Sequence, residues 1–229
     1  MTKGILERLA DGPVLGDGGY LLELEKRGYV QAGPFTPEVV IEHPEALAQL
    51  HREFLRAGAE VLQTMTFYAS DDKLATVGMK DKVDEINRNA VQIARKVASE
   101  GDALVAGNLS LTWAYLPEDP SSVHHVRVLF DRQLQDQLDA GPPDFWIGET
   151  FSYLGEALLF VDRVDALTLE MQRFTDAGVR LSGHLQSAIH ARRASTNRRE
   201  CRGFLCGRHV RSCGGISLSL PSAARVSGS

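Results

Sequence analysis

Hydrophobic positions along the chain follow two alternating patterns, amphipathic stretches and short apolar runs. In residues 43–58 apolar side chains recur every three or four positions, a proline lies in the first turn and Gly58 ends the stretch, which together predict a helix. The same pattern predicts further helices over 20–27, 82–100 and 126–141 and from 153 onward. Apolar runs bounded by turn residues predict strands over 13–20, 59–70, 103–110 and 144–151.

The alternation of strands and helices, with short connections, predicts parallel strands and an α/β fold. An open sheet and a (β/α)8 barrel both fit this rhythm. Polar groups follow four predicted strands, at Asp17, Tyr68, Asn108 and Glu149. A barrel builds its active site from many strand ends, whereas an open sheet uses one switch point. The pattern therefore favours a (β/α)8 TIM barrel, of which about the first four βα units are recognisable before an irregular tail.

The periodic pattern is lost near residue 167. Residues 185–229 contain eight arginines, no lysine and a single acid, Glu200. We therefore predict the N-terminal part of a barrel over 1–167 and a divergent, disordered tail rich in Arg, Ser and Gly over 168–229. A basic tail can bind nucleic acid, but this one has no aromatic or regular pattern, so we predict no nucleic-acid partner.

Composition indicates a globular protein, with 43% hydrophobic and 24% charged residues. No apolar run is long enough to span a bilayer and the N-terminus does not resemble a secretory signal, so we expect a cytoplasmic protein without a membrane partner. The three cysteines, Cys201, Cys206 and Cys213, are an odd number and indicate no disulfide framework. Together with His209 their spacing matches no standard closed zinc site.

The turn Gly16-Asp17-Gly18-Gly19 leaves two interpretations open. It is not a phosphate-binding P-loop and lacks the spacing of a dinucleotide site. It is either a tight turn in which Asp17 caps the next helix, or a turn whose backbone approaches a small polar ligand. Glu149, at the end of the run "FWIGE", has the same two interpretations: a helix cap, or a carboxylate that binds a substrate amine.

Aromatic residues also lie in loops and at predicted strand ends: Phe35, Phe67, Tyr68 and Trp113. Taken singly, each is explained by ordinary core and rim packing. Taken together, they could line a pocket that binds a quaternary ammonium group through cation–π attraction.

Residues 3–165 resemble the homocysteine S-methyltransferases, and among them the betaine-dependent enzymes. The matching stretches include "KGILERL", "GDGGY", "EHPEALAQLHREFLRAGAEVLQTMTFYAS" and "GETFSYLGEAL". They follow one another in near-continuous order, so the combination is far more specific than any single motif.

The resemblance implies a (β/α)8 barrel that binds homocysteine and, as methyl donor, betaine or a related onium compound, with methionine as product. Asp17, Gly18 and Gly19 match the family's homocysteine-binding turn, and Glu149 matches the acid that holds the substrate's amino group. The resemblance also makes a homo-oligomer an expectation.

For the donor, Tyr68 matches an aromatic residue of the betaine pocket, and Phe67 lies beside it. Phe35 occupies a position where the betaine enzymes usually have tryptophan, and Thr150 one where they usually have tyrosine. The expected donor pocket is therefore altered.

The family also implies a zinc ion held by three cysteines, but neither of its cysteine motifs occurs in this sequence, so no catalytic or metal-ligating residue is assigned. We therefore expect this truncated form to have little or no methyl-transfer activity. The alternative is a non-catalytic fragment that binds homocysteine or pairs with other subunits.

Overall fold

The computed structural model describes residues 3–30 and 37–176. Eight α-helices and three strands lie in this part of the chain, in the order α1 (Ile5–Asp11), α2 (Tyr20–Lys26), α3 (Val39–Glu42), α4 (Pro44–Arg56), β1 (Val61–Gln63), α5 (Asp71–Ala75), a 3-10 turn (Lys80–Lys82), α6 (Val83–Ala98), β2 (Leu104–Ser110), α7 (Pro120–Asp139), β3 (Phe145–Glu149) and α8 (Leu154–Asp176). None of these helices is both long and apolar enough to cross a membrane.

The three strands form one parallel sheet in the order β1-β2-β3. Val61 pairs with Leu104 and Asn108 pairs with Ile147, and each pair of strands keeps one register along its whole length. Because the strands are parallel, their carboxyl ends meet at one edge of the sheet. Strands alternating with crossover helices confirm the predicted α/β class, and the sheet is not closed into a barrel within the described residues.

The helices cover the sheet with the apolar faces that the sequence predicts. In α4 the buried positions include Leu47 and Leu50, Pro44 occupies the first turn, and Gly58 follows the helix with a left-handed φ of 101°. In α6 the buried face includes Ile86 and Ala90, which join Leu47 and Leu50 in one hydrophobic cluster. The spacing of three or four residues thus places each apolar side chain in the core.

The predicted first strand, over 13–20, is wrong. Residues 13–19 belong to no strand of the described sheet, Tyr20 begins α2, and Leu15 is 55% exposed. Only one backbone hydrogen bond joins this segment to the β1 side, from the Glu60 N–H to the Leu15 carbonyl at 2.8 Å. The Gln63 N–H, which a neighbouring strand could have used, donates instead to the Asp17 carboxylate at 2.5 Å. The sheet therefore shows three βα units where the sequence predicted about four.

Two other boundaries differ from the prediction. β1 ends at Gln63 because the chain turns at residues 64–66. The hydroxyl groups of Thr64 and Thr66 form one hydrogen bond with each other, and the Thr66 N–H donates to the Thr64 carbonyl at 2.8 Å. α7 begins at Pro120, six residues before its predicted start, because Asp119 caps it by accepting the Ser121 N–H at 2.9 Å. A proline in the first helical turn initiates a helix as readily as it marks a loop.

The predicted boundary at residue 167 falls inside α8, which continues to Asp176. Residues 177–229, with all three cysteines, lie outside the described residues, so the predicted tail stays a prediction.

Candidate functional site

The predicted site residues that the structure describes lie around the carboxyl edge of the sheet. Glu149 is the last residue of β3, and Thr150 follows it. Asp17 reaches the end of β1 through the Gln63 backbone. Tyr68 bonds near the end of β2, its N–H donating to Ser110 Oγ at 3.2 Å. Phe35 lies outside the described residues.

Glu149 is held by amide side chains from the two other strands. Its Oε1 accepts from Asn108 Nδ2 at 2.7 Å and from Gln63 Nε2 at 3.2 Å. Asn108 is fully buried, and its Oδ1 has no hydrogen-bond partner among the described residues. Neutral amide donors fix the Glu149 carboxylate in place without neutralising it.

Asp17 is connected to Glu149 through Gln63, whose backbone bonds to Asp17 while its side chain bonds to Glu149. Burial raises the pKa of Asp17, and the nearby Glu149 charge raises it further; hydrogen bonds from Gln63 and Tyr20 act in the opposite direction. We call Asp17 and Glu149 the acid pair. In the part of the chain that the structure describes neither forms an ion pair, and two adjacent carboxylates of this kind suit an ammonium ligand.

The two glycines after Asp17 differ in their surroundings. A Cβ on Gly18 would lie 2.8 Å from Phe54 Cε1, so close packing of the turn against α4 excludes a larger residue. A Cβ on Gly19 would find no atom nearer than 3.8 Å. Packing against Phe54 therefore explains the glycine at position 18, in addition to the predicted approach of a ligand to the backbone.

Tyr68 and Thr150 share an uncommon backbone conformation. Both have φ of 59°, and they are the only non-glycine residues with positive φ in the described ranges. Left-handed backbone costs on the order of 1 kcal/mol or more for such residues and is concentrated at functional sites. Both were predicted as site residues from the sequence, and both follow the end of a strand.

An aromatic cluster lies beside the acid pair; it consists of Phe67, Tyr68, Trp113 and Lys73. The Phe67 and Tyr68 rings stack with centroids 4.1 Å apart. Lys73 Nζ lies 4.1 Å from the Tyr68 centroid and 3.6 Å from the Trp113 ring. Two groups this near one ring centre cannot share a face, so both faces of Tyr68 are covered.

Lys73 is fully buried, and its Nζ has no hydrogen-bond partner among the described residues. Burial lowers the pKa of Lys73 to about 8, against the opposing charges of Asp72 and Glu156. The two ring faces therefore supply the main direct contacts of this ammonium. Lys73 was not predicted from the sequence, because a lysine in an otherwise polar stretch is normally a solvated residue.

The described residues do not fit the zinc ion that the resemblance implies. They form no group of three or more His, Cys, Asp or Glu side chains able to hold a metal, and they include no cysteine.

Comparison with known proteins gives a consistent result. A family model described as homocysteine S-methyltransferase matches residues 14–197. The chain is 52% identical over 171 residues to betaine–homocysteine S-methyltransferase 1 of Bos taurus. This match covers 72% of this chain and 41% of the bovine protein. The chain is also 52% identical over 169 residues to the Sus scrofa protein of the same name, over 72% of this chain and 60% of the relative.

Among solved structures, the metallated form of the homocysteine methyltransferase MmuM from Escherichia coli aligns with a TM-score of 0.60 and 27% identity, over 71% of this chain and 62% of that one. The chain thus spans less than two thirds of the length of each of these three relatives.

Proposed function

We propose a methyl-transfer function for this chain, which belongs to the homocysteine S-methyltransferase family. The substrate would be homocysteine, with its ammonium group bound by the acid pair at the carboxyl edge of the sheet. The observation that supports the proposal is the link through Gln63 between Asp17, from the predicted homocysteine-binding turn, and Glu149, the predicted amine-binding acid.

The reaction class is a single displacement. The homocysteine sulfur, as its thiolate, attacks a methyl carbon of an onium donor, and a sulfur–carbon bond forms. The carbon–nitrogen bond breaks, and its electron pair stays on nitrogen, so the donor leaves as a neutral tertiary amine and the acceptor becomes methionine. The acid pair contributes by orienting the amino-acid end of the acceptor, which converts an encounter into a fixed approach geometry.

For the donor we propose betaine or a related onium compound, in keeping with the names of the relatives. Because both faces of Tyr68 are covered, this ring can offer the donor only its edge or its hydroxyl group. Thr150 is exposed beside Glu149, and Phe67 lies behind Tyr68, so we propose that these residues border the donor space. Phe35 is proposed to join them on the strength of the resemblance alone.

We propose that this chain transfers methyl groups poorly or not at all. Its sequence contains neither of the cysteine motifs that the resemblance implies for the zinc ion, and the described residues include no cysteine. We further propose that 1–167 forms part of a barrel domain followed by a divergent tail over 168–229. A homo-oligomeric state and a cytoplasmic location complete the proposal.

The test is homocysteine binding by the full chain, measured by isothermal titration calorimetry. Asp17→Asn and Glu149→Gln each replace one carboxylate by an amide of the same shape. Each should weaken binding about tenfold or more, because hydrogen bonds to charged groups contribute about 1.5–3 kcal/mol. Glu45→Gln, at an exposed glutamate of α4, is the matched control and should bind like the wild type. Unchanged affinity in both site variants would refute the acid pair as the amine site.

The alternative is a non-catalytic fragment that binds homocysteine or pairs with other subunits without transferring a methyl group. Zinc content and methionine yield separate the two. A chain with about one zinc ion and a betaine-dependent methionine yield that Glu149→Gln abolishes is an enzyme. A chain that binds homocysteine but shows neither property is the fragment.

A further inference from the structure

Asp17 is the outer end of a buried hydrogen-bonded chain that the reaction does not by itself require. The Tyr20 hydroxyl, at the first residue of α2, donates to Asp17 Oδ2. The Tyr20 oxygen lies 2.7 Å from His51 Nδ1, which comes from α4. Tyr20 is 8% exposed and His51 is 0% exposed, so solvent cannot replace either partner.

The proton positions in this chain follow from the number of donors. A tyrosine hydroxyl has one hydrogen, and with Asp17 ionised that hydrogen lies towards the carboxylate. The hydrogen between Tyr20 and His51 then belongs to Nδ1. His51 Nε2 is buried without a hydrogen-bond partner among the described residues, as expected for a neutral ring with its proton on Nδ1. Burial lowers the pKa of His51 to about 3, in agreement with that neutral state.

The chain restricts the orientation of the Asp17 carboxylate. Oδ2 accepts from both the Tyr20 hydroxyl and the Gln63 N–H, and two donors from different directions fix the plane of the group. Tyr20 is itself fixed, because its ring packs edge-on against His51 and Phe54, with centroids 4.9 and 5.0 Å apart. Asp17 therefore has a rigid support on the side of the core.

We propose that Tyr20 and His51 are positioning residues that hold the Asp17 carboxylate in the orientation in which it binds the ammonium group of the substrate. This inference rests on the proposed function. Tyr20 acts directly on Asp17, and His51 acts through Tyr20. A role in core packing alone would need the two rings but not the hydroxyl group.

Tyr20→Phe separates these roles, because it keeps the ring and removes only the hydroxyl. Two quantities are measured on the full chain: the pKa of the Asp17 carboxyl by carbon-13 NMR titration, and the dissociation constant for homocysteine by calorimetry. Since the Tyr20 hydrogen bond lowers the pKa of Asp17, its loss should raise that pKa. Homocysteine binding should weaken about tenfold, as expected when a charged group loses a buried donor. Tyr29→Phe removes the hydroxyl of a 38%-exposed tyrosine and should change neither quantity.

His51 is tested by a pair of variants. In His51→Asn the side-chain amide can donate near the position of Nδ1, whereas in His51→Leu no donor remains. The Asn variant should retain most of the binding affinity, and the Leu variant should lose about as much as Tyr20→Phe. Equal affinities in the two variants would exclude the action of His51 through Tyr20.

The outcomes distinguish this inference from the proposed function. If the wild type binds homocysteine and Tyr20→Phe changes neither the affinity nor the pKa of Asp17, the positioning role is overturned and the proposed function stands. If the wild type binds no homocysteine, the proposed function fails, and with it the substrate-related part of the inference. The pKa of Asp17 in Tyr20→Phe would still decide whether the hydrogen-bonded chain acts on that carboxylate.

Discussion

The acid pair and the aromatic cluster lie near the same edge of the sheet, and they differ in how their charge is balanced. Asp17 and Glu149 are held by a hydroxyl, a backbone N–H and two amides, all of them neutral donors. The aromatic cluster contains its own buried cation, Lys73. Among the described residues the acid pair therefore has no cation of its own, whereas the aromatic cluster contains one.

This difference changes the expectation for the methyl donor. From the sequence, Tyr68 would hold an onium group against its ring. In the structure, Phe67 covers one face of that ring and the Lys73 ammonium covers the other. The strength of cation binding thus depends on more than the number of aromatic residues, because a ring face that is already covered cannot bind a second cation.

The largest effect is expected from an additional negative charge at the acid pair. Asn108→Asp replaces the buried amide that donates to Glu149 by a carboxylate at about the same place. An unpaired buried charge costs about 3–5 kcal/mol, so the free energy of unfolding at pH 7 should fall by that order. Urea denaturation of the variant and the wild type at pH 7 measures this difference in the free energy of unfolding.

The pH dependence of the same variant has a definite sign. The new carboxyl is buried, so its folded-state pKa should be raised and the folded protein should hold a proton that the unfolded chain has released. Its stability relative to the wild type should therefore be greatest below about pH 4 and decline as the pH rises above it. Asn89→Asp, at a half-buried position of α6, is the control and should show no such decline. A variant as stable as the wild type at pH 7 would show that the acid pair tolerates further negative charge.

The next effect concerns the cation of the aromatic cluster. The pKa of Lys73 is lowered to about 8 from 10.5, so between these values the unfolded chain binds more protons than the folded one. The contribution of Lys73 to the free energy of unfolding should therefore rise with pH across this window, by about 2 kcal/mol. Lys73→Met keeps the length of the side chain and should abolish the rise. Lys96→Met, at an exposed lysine, is the control and should preserve the rise. Denaturation curves at pH 7.5 and 10 give the free energies of unfolding of the wild type and the two variants.

A smaller effect is expected at the turn that carries Asp17. Gly18→Ala places a methyl group 2.8 Å from the Phe54 ring, and overpacking of this kind typically costs about 1–3 kcal/mol. Gly19→Ala has its nearest contact at 3.8 Å and should cost less. Thermal unfolding of both variants ranks them. The reverse order would mean that Gly18 is not constrained by packing against α4.

The smallest effect should come from relief of backbone strain next to Glu149. Thr150→Gly replaces an exposed residue whose φ is 59° by one that adopts this conformation without a penalty, and it should stabilise the fold by up to about 1 kcal/mol. Ala140→Gly, at the right-handed end of α7, is the control and should destabilise by about 0.5–1 kcal/mol. If both substitutions destabilise equally, Thr150 carries no strain.

The sequence predicted the elements whose apolar pattern is strong. β2 and β3 were found within one or two residues, and so were α4 and α6, because burial of one face or of a whole strand leaves a clear period. The strand predicted over 13–20 is wrong for a physical reason. Its apolar residues indicated a strand, but the Asp17 carboxylate accepts the Gln63 N–H that strand pairing could have used.

The site was predicted only in part. Asp17 and Glu149 were predicted from the resemblance and from their position after apolar runs, and Gln63 bonds to both of them in the structure. Gln63 and His51 were missed, since each acts through a partner distant in sequence, and neither spacing nor residue type reveals that partner. Lys73 was missed because a lysine in a polar stretch is normally solvated. Gln63 lies 46 positions from Asp17 and 86 from Glu149.

The most direct test of the acid pair removes the ammonium group from the ligand instead of the carboxylate from the protein. Calorimetry would compare homocysteine with its deamino analogue on the wild-type chain and on Glu149→Gln. The wild type should bind homocysteine at least about tenfold more tightly than the analogue, and this preference should shrink or vanish in Glu149→Gln. Equal affinities of the wild type for the two ligands, or an undiminished preference in the variant, would contradict the assignment of the acid pair as the amine-binding site.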